Sequence, residues 1–434
     1  MKRLRVKSVA RWIGVAVLAT TGIGLTACHS NHQALSAEWA STVLPAHDTP
    51  GYAAVTRGLY LVRAGDCASC HTAKNGEPFA GGHPVLTPFG IIYSTNITPD
   101  EDTGIGKWSE ADFYRAMHAG LDRQGKHLYP AMPYLWYTRA TPDDVRDIKA
   151  FLDTLKPVRQ ANRQPQLPWP MSDRSVMGVW NKMYFNKGTF APNAQKSAQW
   201  NRGAYLVEGL GHCGACHTDP NVAGAPTGKP LHGGLLVGSF APSLVGGLRD
   251  GLGGWTAPDI VEYLKTGSND KSAPAGAMAE VVANSTQYLS DADLDDIAAY
   301  LKDMPGPKSE TTHSDLDKNT QSLGAAVYVD NCAACHMDSG QGQAHTFPPL
   351  KGSSAVQAAK ADTMVRVVLG GAGIPATEPK PTGLKMPAFN EKLDDAQVAA
   401  VVSYIRNAWG NHAATVSTGD VAKMRTNLRK KGSE

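Results

Sequence analysis

The sequence predicts a mainly α-helical, loop-rich chain of three small tandem domains joined by linkers. Its 434 residues are several times the usual domain size of about 100–150 residues, one five-residue motif occurs three times, and the segments flanking its first two copies repeat. With 42% hydrophobic and 19% charged residues the composition is ordinary for globular protein, which excludes a disordered or low-complexity chain.

The leader stands apart from these domains. Five cations, Lys2, Arg3, Arg5, Lys7 and Arg11, precede an apolar run from Trp12 to Leu25, the layout of a secretory signal. The run is shorter than the roughly 20 residues a spanning helix needs. Leu25-Thr26-Ala27-Cys28 has the form of a bacterial lipoprotein cleavage box, with Cys28 as the lipidated residue; an ordinary cleaved signal or an uncleaved anchor is the alternative. Either way the body is expected outside the cytoplasm. Residues 1–27 hold those five positive charges and no acid, so the formal charge of +3 becomes −2 without them. A nucleic-acid partner therefore has no electrostatic support.

The seven cysteines are Cys28, Cys67, Cys70, Cys213, Cys216, Cys332 and Cys335. Six of them form Cys67-Ala-Ser-Cys70-His71, Cys213-Gly-Ala-Cys216-His217 and Cys332-Ala-Ala-Cys335-His336, three copies of the c-type haem attachment motif. Two thiols three positions apart on one helical turn can each form a thioether with a haem vinyl group, and the following histidine then lies under the iron. Disulfides, structural zinc and a thioredoxin-like pair are the alternatives. Zinc would need the pairs to converge across intervals of 146 (213 − 67) and 119 (332 − 213) residues. The expected architecture is three tandem class I-type cytochrome c domains carrying three covalently bound haem c groups.

The repeat supplies the second axial ligand. Arg57-Gly-Leu-Tyr-Leu-Val-Arg-Ala-Gly-Asp-Cys67 aligns with Arg202-Gly-Ala-Tyr-Leu-Val-Glu-Gly-Leu-Gly-His212-Cys213, a helix running into the motif. Gly104-Ile-Gly-Lys-Trp108-Ser-Glu-Ala-Asp112 aligns with Gly251-Leu-Gly-Gly-Trp255-Thr-Ala-Pro-Asp259, each with a Ser or Thr cap opening a helix. Met132 and Met278 each lie 61 residues after His71 and His217, and Met386 lies 50 after His336. Methionine sulfur stabilises Fe(II) and raises the potential. Core filling is the competing reading, and is assigned to Met117, Met183, Met337 and Met364. His83, His118, His127 and His212 are the alternative distal ligands.

Phe347-Pro348-Pro349-Leu350 and Ala241-Pro242-Ser243-Leu244 place a proline carbonyl where it can accept the free N–H of the proximal histidine. The first domain has Ser94-Thr95-Asn96-Ile97 there, so the groups around its histidine, and with them the potential of its haem, are expected to differ.

These landmarks give a signal with lipobox (1–28), a tether (29–50), domains at 51–160, 199–305 and 321–410, linkers at 161–198 and 306–320, and a basic tail (411–434). The first linker is rich in proline and tryptophan and is expected to pack on its neighbours rather than to form a docking surface. The second is polar. The tail is expected to be solvated and partly frayed, with an anionic membrane surface as the alternative.

Longer strings carry a resemblance. Phe79-Ala-Gly-Gly82, Thr87-Pro-Phe-Gly90, Ile92-Tyr-Ser-Thr-Asn-Ile-Thr-Pro-Asp100, Tyr129-Pro-Ala-Met-Pro-Tyr134, Trp200 to His217 and Trp409-Gly-Asn411 are similar to the triheme cytochrome c subunit of bacterial membrane-bound alcohol, gluconate, sorbitol and fructose dehydrogenases. The resemblance implies an electron-transfer subunit without a catalytic site of its own. It implies a partner dehydrogenase subunit bearing pyrroloquinoline quinone or FAD, a small third subunit, and delivery to ubiquinone at the periplasmic face of the cytoplasmic membrane. Some relatives anchor by a C-terminal segment instead of a lipobox. No dinucleotide fingerprint or nucleophile motif appears, and Gly246 to Gly254 reads as a loop before the Trp255 helix. A standalone haem enzyme such as a peroxidase, and a generic periplasmic shuttle to a terminal oxidase, are the competing functions.

Overall fold

A computed structural model describes residues 47, 49, 51–306 and 316–432, which fall within one compact unit. Cys28, the leader, most of the expected tether and residues 307–315 of the second linker lie outside the described residues.

In the first domain α1 (Tyr52–Ala64) runs almost directly into α2 (Cys67–His71), the reversal being made by Asp66 at φ 49. A hairpin follows, with β1 (Pro84–Thr87) antiparallel to β2 (Gly90–Tyr93). Then α3 (Glu110–Ala119) opens on a capping box, in which Ser109 and Asp112 each accept the other's backbone N–H, and stops at Gly120 with φ 63. After α4 (Tyr134–Tyr137) comes α5 (Pro142–Leu152), capped by Thr141 and started by a proline whose missing N–H is no loss at that position.

The first linker contains α6 (Val176–Tyr184). Its Trp180 is buried with Met177 and Ala225, and the indole N–H donates to the Ala223 carbonyl at 2.9 Å, so the linker packs onto the second domain. Met183, expected in a core, is exposed on the outer face of this short helix beside Val179.

The second domain repeats the plan: α7 (Ala198–Glu208), α8 (Gly214–His217), a hairpin of β3 (Gly234–Leu236) and β4 (Ser239–Ala241), then α9 (Ala257–Thr266). A Thr256/Asp259 capping box starts α9, and Gly267 at φ 79 ends it. Next come α10 (Ala277–Asn284), a 3-10 turn over Thr286–Tyr288, and α11 (Asp291–Asp303) capped by Ser290.

The third domain has α12 (Lys318–Asn331), α13 (Ala333–His336), α14 (Asp362–Gly370), a short β5 (Ala372–Gly373) and β6 (Lys385–Met386) pair, α15 (Asp395–Ile405) and α16 (Thr418–Gly432). The last of these differs from the frayed tail expected over 411–434. Val421 and Met424 are buried in the third core, and Arg425 pairs with Asp395 at 2.8 Å. Two apolar residues one turn apart suffice to dock a helix whose other positions are mostly polar.

In each domain the helix that leads into the motif crosses a later long helix, α1 on α5, α7 on α11 and α12 on α15. The crossing is close because a glycine stands at it. A Cβ on Gly58 would lie 1.9 Å from the Asp147 carbonyl oxygen, on Gly203 1.9 Å from that of Asp296, and on Gly324 2.4 Å from that of Ala400. Each domain has its own apolar core, around Val62, Phe79 and Phe151, around Leu206, Leu294 and Leu301, and around Tyr328, Leu369 and Val398. The second and third domains meet where Thr363 bonds both the N–H and the carbonyl of Phe240 at 2.8 Å, and where Lys380 donates to the Ser268 carbonyl at 3.1 Å. No helix among the described residues is long and apolar enough to cross a membrane.

Candidate haem-attachment sites

Each Cys-x-x-Cys-His segment forms a single helical turn at the C-terminal end of a domain's first helix, so its two thiols stand on one face with the histidine just beyond. All six cysteines are free in the structure. Desolvation pushes the Cys67 and Cys213 thiols up to about 12 and Cys332 to about 11. Among the described residues no group of three or more His, Cys, Asp or Glu side chains converges as a metal site.

The three histidines are oriented alike. His71 donates Nδ1–H to the Thr95 carbonyl at 2.7 Å, His217 to Pro242 at 2.7 Å and His336 to Pro348 at 2.9 Å. A carbonyl only accepts, so Nδ1 carries the hydrogen and Nε2 keeps the lone pair that a metal takes. Burial lowers the pKa of each imidazole against the opposing effect of that bond, which favours the neutral, ligating form. The first domain thus differs from expectation: Thr95 offers the same backbone carbonyl without a proline.

Met132 packs against the apolar core that contains Cys67, and Met386 against the one that contains Cys332. Met278 occupies the first turn of α10, partly buried, and lies outside the core cluster of Cys213. Of the alternative histidines, His118 bonds the Thr138 carbonyl and stacks on Tyr114, while His212 bonds the Leu210 carbonyl and packs edge-on against Tyr137. His127 lies beside Asn181 of the linker, and His83 begins the first hairpin through a bond to Ser94.

A loop after the motif completes two of the sites. Thr72 accepts the Phe79 N–H and Thr218 the Leu231 N–H, both at 3.1 Å, and the glycine two residues on bonds back to His71 or His217. Phe79 and Leu231 sit at φ 60 and 63, so the hydroxyl holds a strained turn. Sequence reasoning missed both threonines. Their signal was the residue after the motif: Cys-His-Thr in the first two copies, Cys-His-Met in the third.

Paired thiols and a neutral histidine with free Nε2, joined in the first and third domains by a methionine packed on the same core, form a donor set that fits a covalently held haem. The class that fold and site define is a c-type cytochrome of three domains, and the cytochrome c family model matches residues 55–156, 201–305 and 321–409. The chain is 43% identical over 403 residues to the gluconate 2-dehydrogenase cytochrome c subunit of Pantoea cypripedii, covering 88% of this chain and 91% of that one. It is 42% identical to the cytochrome c subunit of the quinone-type alcohol dehydrogenase of Gluconobacter oxydans (strain 621H), covering 86% and 82%. Identity to the fructose dehydrogenase cytochrome subunit of Gluconobacter japonicus is 35%, covering 88% and 85%. The chain belongs to this family of dehydrogenase cytochrome c subunits.

Proposed function

We propose that the chain carries three covalent haem c groups and serves as the electron-transfer subunit of a dehydrogenase complex. In this reading Cys67 and Cys70, Cys213 and Cys216, and Cys332 and Cys335 form the thioethers. His71, His217 and His336 would be the proximal ligands, and Met132, Met278 and Met386 would supply the second ligand of each iron. Each bound haem supplies a one-electron Fe(III)/Fe(II) couple, and the protein's part is to hold, orient and shield it. The observation that carries this is the repeated geometry of neutral histidine, backbone carbonyl and paired free thiols in all three domains.

The partner is a quinoprotein or flavoprotein subunit acting on an alcohol, polyol or gluconate, with a small third subunit, and the acceptor is ubiquinone. The site of action is the periplasmic face of the cytoplasmic membrane, with Cys28 as the lipid anchor. Support comes from the functions of the relatives and from the leader. The experiment is affinity purification from native membranes, followed by identification of co-eluting subunits and a substrate-driven haem reduction spectrum. Co-elution of a dehydrogenase whose substrate reduces the haems is expected; a free chain that no dehydrogenase reduces contradicts the reading.

A further inference from the structure

The Arg-Gly-x-Tyr segment that opens the internal repeat does more than build two similar helices. Each arginine stays within its own domain. Arg57 bonds Asp147 and lies 3.6 Å from Asp144, while Arg202 donates Nε–H and a terminal N–H to the two oxygens of Asp293, each at 2.8 Å. Each tyrosine crosses over. Tyr60 donates to Asp293 at 2.5 Å and accepts the Ser290 N–H at 3.2 Å, at the start of α11 in the second domain. Tyr205 donates to Asp144 and accepts the Thr141 N–H at 3.1 Å, at the start of α5 in the first.

Because the exchange is reciprocal, the first two domains are related by an approximate two-fold axis. That axis also brings their attachment turns together. Asn284, at the end of α10, donates to Ser69 of α2 at 2.9 Å. Across the axis, Trp136 of α4 covers Gly214 of α8, its Nε1 2.8 Å from where a Cβ would stand. The Tyr137 ring, whose hydroxyl donates to the Gly65 carbonyl at 2.7 Å, meets the His212 ring edge-on at 5.5 Å. The third domain has Leu323 and Ala326 at the positions of the arginine and tyrosine counted from Gly324, and it is held to the second by the separate contacts of Thr363 and Lys380.

We propose that Tyr60 and Tyr205 are positioning residues for electron transfer: by crossing onto Asp293 and Asp144 they clamp the first two domains so that an electron passes directly between their attachment sites. One electron leaves the reduced site of one domain and reduces the oxidised site of the other, and no atom or proton moves with it. This rests on the reading that each motif holds a haem.

The test uses the full-length holoprotein with Tyr60→Phe, Tyr205→Phe and the double variant. Tyr328→Phe, which removes a 2.6 Å bond to the Met337 carbonyl inside the third domain, is the control. Three readouts apply: haem count by intact mass, amide hydrogen exchange at the starts of α5 and α11, and magnetic coupling between the oxidised first and second haems. Full haem loading is expected in every variant. Protection should fall by about ten-fold at α11 in Tyr60→Phe and at α5 in Tyr205→Phe, the size of one lost bond to a charged group. Coupling should weaken further in the double variant, with no change in the control. Normal haem mass with unchanged coupling in the double variant overturns the clamp alone. Absent haem mass in the parent chain overturns the underlying haem reading instead.

Discussion

His71 donates its Nδ1–H to the carbonyl of Thr95 at 2.7 Å, the bond that proline carbonyls accept in the other two domains. What orients the ring is a backbone oxygen, so the residue bearing it is free to vary. Thr95→Ala is expected to leave the first haem's potential and spectrum unchanged. Gly81→Ala is not: at φ 76 its Cβ would stand 2.4 Å from the Thr95 carbonyl carbon. It should displace that oxygen, cost about 1–3 kcal/mol as a strained backbone site does, and shift the first haem's midpoint potential. Thermal unfolding and redox titration check both.

Arg406 is 1% exposed and donates to the carbonyls of Ala414, Val356 and Ala358 at 2.8, 2.6 and 3.0 Å. Burial pushes its pKa down to about 10, still far enough up to keep it charged at neutral pH. Arg406→Met leaves three carbonyls without this donor, and each unsatisfied buried group costs about 1–3 kcal/mol. A loss of about 3 kcal/mol or more in the third domain's unfolding free energy is expected from denaturant titration.

Acid should open the contact between the first two domains. Burial alone would raise the Asp293 pKa, but bonds from Arg202 and Tyr60 outweigh it and hold the carboxyl below its ordinary value. The stability it contributes is therefore full above the unfolded-state pKa of about 3.9, and is lost as pH falls through the lower folded-state value. Hydrogen exchange at the start of α11 should show a step in that acid range, and Asp293→Asn should abolish it.

Met132→Ala and Met386→Ala should each leave all thioethers intact while opening one axial position. Carbon monoxide binding to the reduced protein and a lower midpoint potential are the expected outcomes, because thioether ligation favours Fe(II). Retention of a six-coordinate spectrum in either variant would mean that another side chain is the ligand.

The chemistry was the most legible layer of this sequence, because covalent attachment demands two thiols and a histidine at one fixed spacing. Helix starts were legible wherever a side chain caps them, as at Ser109 and Thr256. The short hairpins carry too few residues to show an alternating pattern. The C-terminal helix was missed because only Val421 and Met424 anchor it firmly in a basic, polar segment. Tyr60 and Tyr205 stood in plain alignment, but a repeat shows that two residues are equivalent and not that each bonds the other's domain.

The measurement closest to the central claim is peptide mass mapping of the chain matured in a cell that attaches haem c. The account predicts three peptides, containing Cys67–His71, Cys213–His217 and Cys332–His336, each heavier by one haem and without free thiol. Any one of the three recovered with two free or disulfide-bonded cysteines would contradict it.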